Sequence, residues 1–328
     1  MAKSLFIVEL ENLRISENLG RGDRIGSVLV TNDIQMKEEL ISPAFKHSFG
    51  SLEAGSLLEP GIVVAYRIQD DVDPLDADSS LHEVELRLSQ LQALSFSIWL
   101  TRDCAVSTEI AFWLAPFRRH GASAEGLRST RNFMAIKETD SRGERPLLEL
   151  NREELRHVRT LFSQIVPDEG DLLSPELARS TASRWARATY FIQAARSIGD
   201  PILKVANYVT ALEALFASDH AELAHRLSER VAVFLSDEYL ERTSIYSTIK
   251  RAYSIRSKGV HGAPVRQKDN EQARESCVAL DRFLRAAMNK ILSNPASSSV
   301  FISEIKPEDF DNYFLGLLFD APIAGSTQ

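Results

Sequence analysis

Cysteine is nearly absent, with only Cys104 and Cys277 in 328 residues. They stand in no metal-ligand spacing, which excludes a zinc-finger or disulfide-scaffold design and leaves two incidental thiols. No uncharged stretch approaches the roughly 18–20 residues that a membrane span needs. The run Met1–Leu13 reaches Glu9 and Glu11 too soon for the apolar core of an export signal. A cytoplasmic protein with no membrane attachment is expected. A Gly-x-Gly-x-x-Gly turn, a phosphate-binding loop, a paired-histidine zinc helix and a Gly-x-Ser-x-Gly elbow are also lacking. No cofactor and no metal are therefore expected.

What is present is an ordinary globular composition, 44% hydrophobic and 26% charged. The length suggests two domains, each large enough to bury a core. The net charge of −8 argues against a general nucleic-acid binder, yet it hides a polarity. Residues 69–85 carry seven acids and no Lys or Arg, whereas residues 241–290 carry eleven Lys and Arg against five acids. A local field of that kind attracts phosphates whatever the total charge. Two solvated helix faces would account for the same numbers.

The N-terminal half alternates between the two periods. Residues 3–9, 25–31 and 61–68 are short, apolar and bounded by turn residues, so strands are expected there. The acidic loop after them holds Asp71-x-Asp73 and Asp76-x-Asp78 but lacks the Gly and Glu of an EF-hand, so a turn is expected and not a calcium site. From Leu81 to Leu100, Val84, Leu88, Leu91, Leu94 and Ile98 recur at helical steps and end in a very apolar run. Residues 105–114 and 131–138 follow as expected strands around the basic turn at Arg118, Arg119, His120 and Gly121. A loop end explains His120 better than a ligand contact does. An α+β domain over residues 1–166 results. It closes with a connector helix over 152–165 opened by the capping-box pair Asn151 and Glu154.

Residues 167–174 are the expected boundary, with Ser174-Pro175 a suitable cap and first turn. Helices are then expected at about 175–197, 201–217, 220–235, 239–261 and 268–293. Together they make an all-α bundle over residues 175–295. Residues 296–328 read as an extension with one short helix, over 310–319, and a disordered tail.

The stretch 246–264 stands out. Tyr246, Ile249, Tyr253 and Val260 predict a buried helix face, and Arg256 falls on it. His261 follows, and Gly262 and Pro264 stop the helix. Arg256 through His261 resembles the Arg-x(4–6)-His signature of HEPN domains. Upstream, Tyr208–Phe216, containing Glu213, resembles the corresponding helix of the Apea-like HEPN branch, and the run from Glu222 through Arg230 resembles the helix that follows it. The resemblance covers residues 175–293. It implies a HEPN-like helical bundle that cleaves RNA without metal, as toxin-like effectors of anti-phage defence do, and that builds its cleft across a homodimer.

The residue types suit that chemistry. Attack by a 2′-hydroxyl needs a base, an acid for the leaving oxygen, and positive charge for the phosphorane. Histidine titrates near neutrality, and the fork of arginine grips phosphate oxygens. The expectation is catalysis by Arg256 and His261, with products ending in a 2′,3′-cyclic phosphate. Ser257, one turn before His261, and Glu213 would support them. Lys250, Arg251, Lys258 and Tyr253 would bind the RNA, Tyr253 by stacking a base, although packing in the core explains a tyrosine on that face more readily. Gly259 makes local distortion cheap. Ser257 departs from the Asn, Asp or His common after the arginine in the family. The alternative is a silent module for dimerisation or nucleotide binding, in which Arg256 pairs with Glu213 and His261 caps the helix. The α+β domain would receive an unknown trigger.

Overall fold

A computed structural model describes residues 3–70, 77–119, 122–131, 137–166, 183–218, 223–260, 267–303 and 305–319; of these, side chains at 44, 77–81, 116–119, 122–131 and 258–260 lie outside the description. The chain divides into two compact units, residues 1–138 with 145–173, and residues 139–144 with 174–328.

The first unit is α+β. Six antiparallel strands run in the order β3 (Asp23–Ile25), β4 (Val28–Thr31), β5 (Val63–Gln69), β1 (Ser4–Leu10), β6 (Ile110–Arg119), β7 (Ala122–Arg131). The central strand β1 is buried on both sides. Leu5 and Ile7 join Phe45, Leu57, Val64 and Phe112 in one core cluster. Phe6 and Val8 alternate with them and are buried as well. A separate parallel pair joins β2 (Leu13–Ile15) to β8 (Leu148–Leu150). Helix α4 (Ala77–Thr101) packs on β6 and on α5 (Arg152–Ile165). Its apolar end is fully enclosed, with Phe96, Ile98 and Trp99 at 0% exposure. The expected capping box of α5 is formed, Asn151 accepting from the Glu154 amide and Glu154 from the Asn151 amide.

Several boundaries differ from expectation. Three short helices between β4 and β5 had no counterpart in the periodicity: α1 (Ile34–Leu40), α2 (Pro43–Phe49) and α3 (Ser51–Leu58). The expected strand at 105–114 is displaced to β6, which forms a hairpin with β7, a strand that was not expected; most of the strand expected at 131–138, residues 132–136, lies outside the described residues. Residues 104–106 are buried without joining the sheet, and Glu11 and Ser107 make an isolated bridge. The acidic residues 71–76, His120 and the boundary 167–182 lie outside the described residues.

The second unit is helical: α6 (Arg184–Arg196), α7 (Pro201–Phe216), α8 (Leu223–Leu235), α9 (Tyr239–Val260), α10 (Gln267–Ser293), α11 (Pro295–Phe301) and α12 (Pro307–Leu318). Helix α7 is its centre and packs on α6, α8, α9 and α10. Val205, Tyr208, Val209, Leu212, Leu215 and Phe216 are all at 0% exposure. Asp200 caps it by accepting from the amides of Ile202 and Leu203, and Pro201 supplies its first turn.

The expected extension with one short helix is corrected here. Residues 295–318 form two helices, and both join the core. Phe301 meets Phe216 and Phe234 edge-on, Phe314 meets Phe216, and Phe310 meets Phe301 and Phe314. Aromatic burial on this scale makes α11 and α12 part of the bundle. Residues 139–144 belong to this unit as well: the Thr139 amide donates to Arg196 O, and buried Lys204 donates to the Thr139 hydroxyl.

Candidate functional site

Helix α9 carries the residues singled out in the sequence. Its entry is fixed by Ser236, whose hydroxyl donates to Glu241 and accepts from the Glu238 amide. Its buried stripe is Ile245, Thr248, Ile249, Ala252 and Ile255. This corrects the expected face. Of the four residues named for it, Ile249 alone is fully buried, Tyr246 and Tyr253 are half-buried at the margin, and the Val260 side chain lies outside the description. A tyrosine suits such a margin because its ring is apolar and its hydroxyl wants water.

Arg256 lies on that margin too. Its Nη1 donates to Oε1 of Glu213 in the last turn of α7, and the side chains are 26% and 14% exposed respectively. The guanidinium carbon stands 5.6 Å from the centroid of the Tyr253 ring. Arg256, Glu213 and Tyr253 are thus brought together. One nitrogen of the fork is occupied while part of the group still reaches solvent. Such a partly desolvated arginine is pre-oriented for an anion, and its pair with Glu213 also braces α7 against α9.

The other expected residues are distributed around this group. Ser257 and Lys250 are exposed, Ser257 next in sequence and Lys250 six positions before Arg256. Arg251 is exposed, about 100° around the helix from Lys250, and faces away from the Tyr253 edge. Lys258 is in the last turn of α9, with its side chain outside the description. His261 lies outside the described residues, next in sequence to Val260, the last residue of α9 that is described. The basic excess of 241–290 is partly consumed internally. Arg242 bonds Ser236 O, Arg285 bonds Asp281, and Lys290 bonds Phe234 O.

Two arginines that the sequence pattern did not single out fix the end of α7 that carries Glu213. Nη1 of Arg184 donates to the carbonyls of Ala214, Leu215 and Ala217, and its Cζ lies 3.6 Å from the Phe310 centroid. Nη1 of Arg230 donates to Phe216 O, and its Nη2 pairs with Asp311 at 2.6 Å. These are the orphan carbonyls of a helix C-terminus, where the dipole favours cations. Burial, with Arg187 and Arg230 nearby, lowers the Arg184 pKa to about 10, which leaves it charged at neutrality. The only sequence signal was the composition of the partners, since both arginines arrive from other helices.

Among the described residues no group of three or more His, Cys, Asp or Glu could hold a metal ion. Neither cysteine is in a disulfide, both are buried, and burial pushes the Cys277 thiol up to about 12. In the α+β unit a cleft of about 310 Å³ is lined by Glu9, Glu11, Glu53 and Glu109 over Leu57 and Phe112. Burial raises the Glu9 and Glu11 carboxyls, and the hydrogen bond that protonated Glu11 donates to Glu109 adds to the rise at Glu11. No helix among the described residues is long and apolar enough to cross a membrane. Against family models, curated proteins and solved structures, the chain has no match.

Proposed function

We propose that the helical unit is a HEPN-like, metal-independent endoribonuclease, a toxin-like cytoplasmic effector of anti-phage defence whose trigger acts on the α+β unit. The observation that carries the reading is the poise of Arg256. Its guanidinium is oriented by Glu213 and Tyr253, remains partly open to solvent, and stands five residues before His261 in the sequence. The order of the pieces agrees, because the three sequence segments that resemble the family lie on the successive helices α7, α8 and α9.

In this reading His261 exchanges the proton at the 2′-hydroxyl or the leaving 5′-oxygen, and Arg256 compensates the phosphorane charge. Two copies meet so that each contributes Arg256 and His261 to one cleft, which makes the protein a homodimer through its helical unit.

The Arg256–Glu213 pair itself favours a second reading, a silent module in which the arginine only ties two helices together. Incubating the purified protein with total RNA in EDTA separates the two. The nuclease cleaves, and light scattering finds a dimer at micromolar concentration. Intact RNA favours the silent module, whether the protein is a dimer or a monomer.

A further inference from the structure

Tyr246, Lys250, Tyr253 and Arg256 follow one another along α9 at steps of four, three and three, so they line one edge of the helix. That edge alternates aromatic and cationic groups. Lys250 Nζ lies 5.7 Å from the Tyr246 centroid, and Arg256 Cζ lies 5.6 Å from the Tyr253 centroid. From α8, His225 meets Tyr246 edge-on at 5.8 Å between centroids. The tyrosines are half-buried and Lys250 is exposed, beside the buried stripe and not within it.

The charge around this edge is one-sided. From Arg242 to Arg256, α9 has four Lys and Arg and no Asp or Glu, in a chain that otherwise has an acid about every seven residues, 46 in 328, and the two that fall on this edge are Lys250 and Arg256. Of the acids that approach from neighbouring helices, Glu213 pairs with Arg256, and Glu229 faces His225 at 3.8 Å. A merely solvated helix face mixes both signs; this one does not.

We infer that this edge of α9 is a track for a single strand of RNA. Tyr246 and Tyr253 stack unpaired bases, and Lys250 meets the phosphates between them. The inference rests on the ribonuclease reading of Arg256 and adds the substrate class, unpaired RNA. Seven residues of helix place the tyrosines about 10 Å apart along the axis. A stacked strand, at about 3.4 Å per phosphate, covers that in about three nucleotides. The strand then runs from Tyr246 toward Arg256, where the helix ends. A duplex hides its base faces and cannot use the rings.

The test uses fluorescence anisotropy in EDTA with a labelled oligouridine methylated at every 2′-oxygen, which this chemistry cannot cut, and with the same strand paired to its complement. The expected result is single-strand affinity at least about tenfold above duplex affinity. Tyr246→Leu and Tyr253→Leu should each weaken it about tenfold, while the Tyr→Phe variants bind like wild type. Lys250→Gln should reduce the salt slope by about one. Equal affinity for the duplex, no binding by the wild type, or Leu variants that bind like wild type would overturn the track. Since the probe is uncleavable, the two readings fail separately. Ring-dependent binding without cleavage of ordinary RNA removes the nuclease and keeps the track. Cleavage of ordinary RNA with ring-independent binding removes the track and keeps the nuclease.

Discussion

The carboxylate of Glu213 in α7 accepts a hydrogen bond from the guanidinium of Arg256 in α9, 43 residues further along the chain. The pair does two things. It fixes the direction of a partly exposed arginine, and it holds together the two helices on which that arginine depends.

The structural part of this role is measurable alone. Glu213→Ala leaves a half-buried guanidinium without its carboxylate and should cost about 2 kcal/mol. The helical unit should then melt about 5 °C lower by circular dichroism. Glu213→Gln keeps an acceptor and should fall between the two. Melting curves that superimpose on wild type would show that the pair contributes nothing to the bundle.

Arg184 gives a second, independent handle on the same end of α7. Its removal frees the carbonyls of Ala214, Leu215 and Ala217 and uncovers the Phe310 ring. Arg184→Ala should destabilise the unit by about 2 kcal/mol, and Arg184→Lys should recover only part, because an ammonium can serve the carbonyls but has no planar group to lie over the Phe310 ring. Urea unfolding of the three proteins checks the order. Equal stability of the Lys and Ala variants would show that the positive charge contributes nothing at this helix end.

The long helices were legible because their apolar residues repeat at helical steps over many turns, as in α4, α9 and α10. Edge strand β7 was not. Its sequence, ASAEGLRSTR, has little β-propensity and is a strand because β6 offers it a full ladder of partners. Helices α1 and α2 are too short for periodicity, although their caps were visible in Asp33 and in Ser42-Pro43. At the site, the Arg256–Glu213 pair could be anticipated from residue types. The margin positions of Tyr246 and Tyr253 could not, because a tyrosine counts as apolar in any periodicity. The clamps from Arg184 and Arg230 depend on which helices meet, which no local pattern carries.

Gly26 is held by its neighbour in space. It turns the β3–β4 hairpin at φ +57°, and a Cβ there would meet the ring of Phe162 in α5. Gly26→Ala combines a left-handed backbone, about 1–2 kcal/mol, with a clash, so a loss of about 3 kcal/mol from the α+β unit is expected. Chemical denaturation reads it directly. A loss below about 1 kcal/mol would mean that Phe162 moves aside freely.

Glu9 makes stability depend on pH. Burial first, and then the charge of Glu11, holds its carboxyl above the ordinary carboxylate range. An acid raised by folding favours the folded state when protonated, and that contribution is lost as the pH climbs through the raised value. Glu9→Gln should therefore melt above wild type at pH 7, with the gap closing as the pH falls below the ordinary glutamate range, about pH 4. A gap that stays constant with pH would show that ionisation of Glu9 is not its cause.

The most direct measurement is cleavage of RNA without divalent metal by wild type, His261→Ala and Arg256→Ala, each first shown to fold by circular dichroism. Wild type should leave 2′,3′-cyclic phosphate ends. His261→Ala should be slower by about 10²–10⁴, and Arg256→Ala by about 10²–10³. Wild-type cleavage that both variants match would place the chemistry elsewhere in the chain.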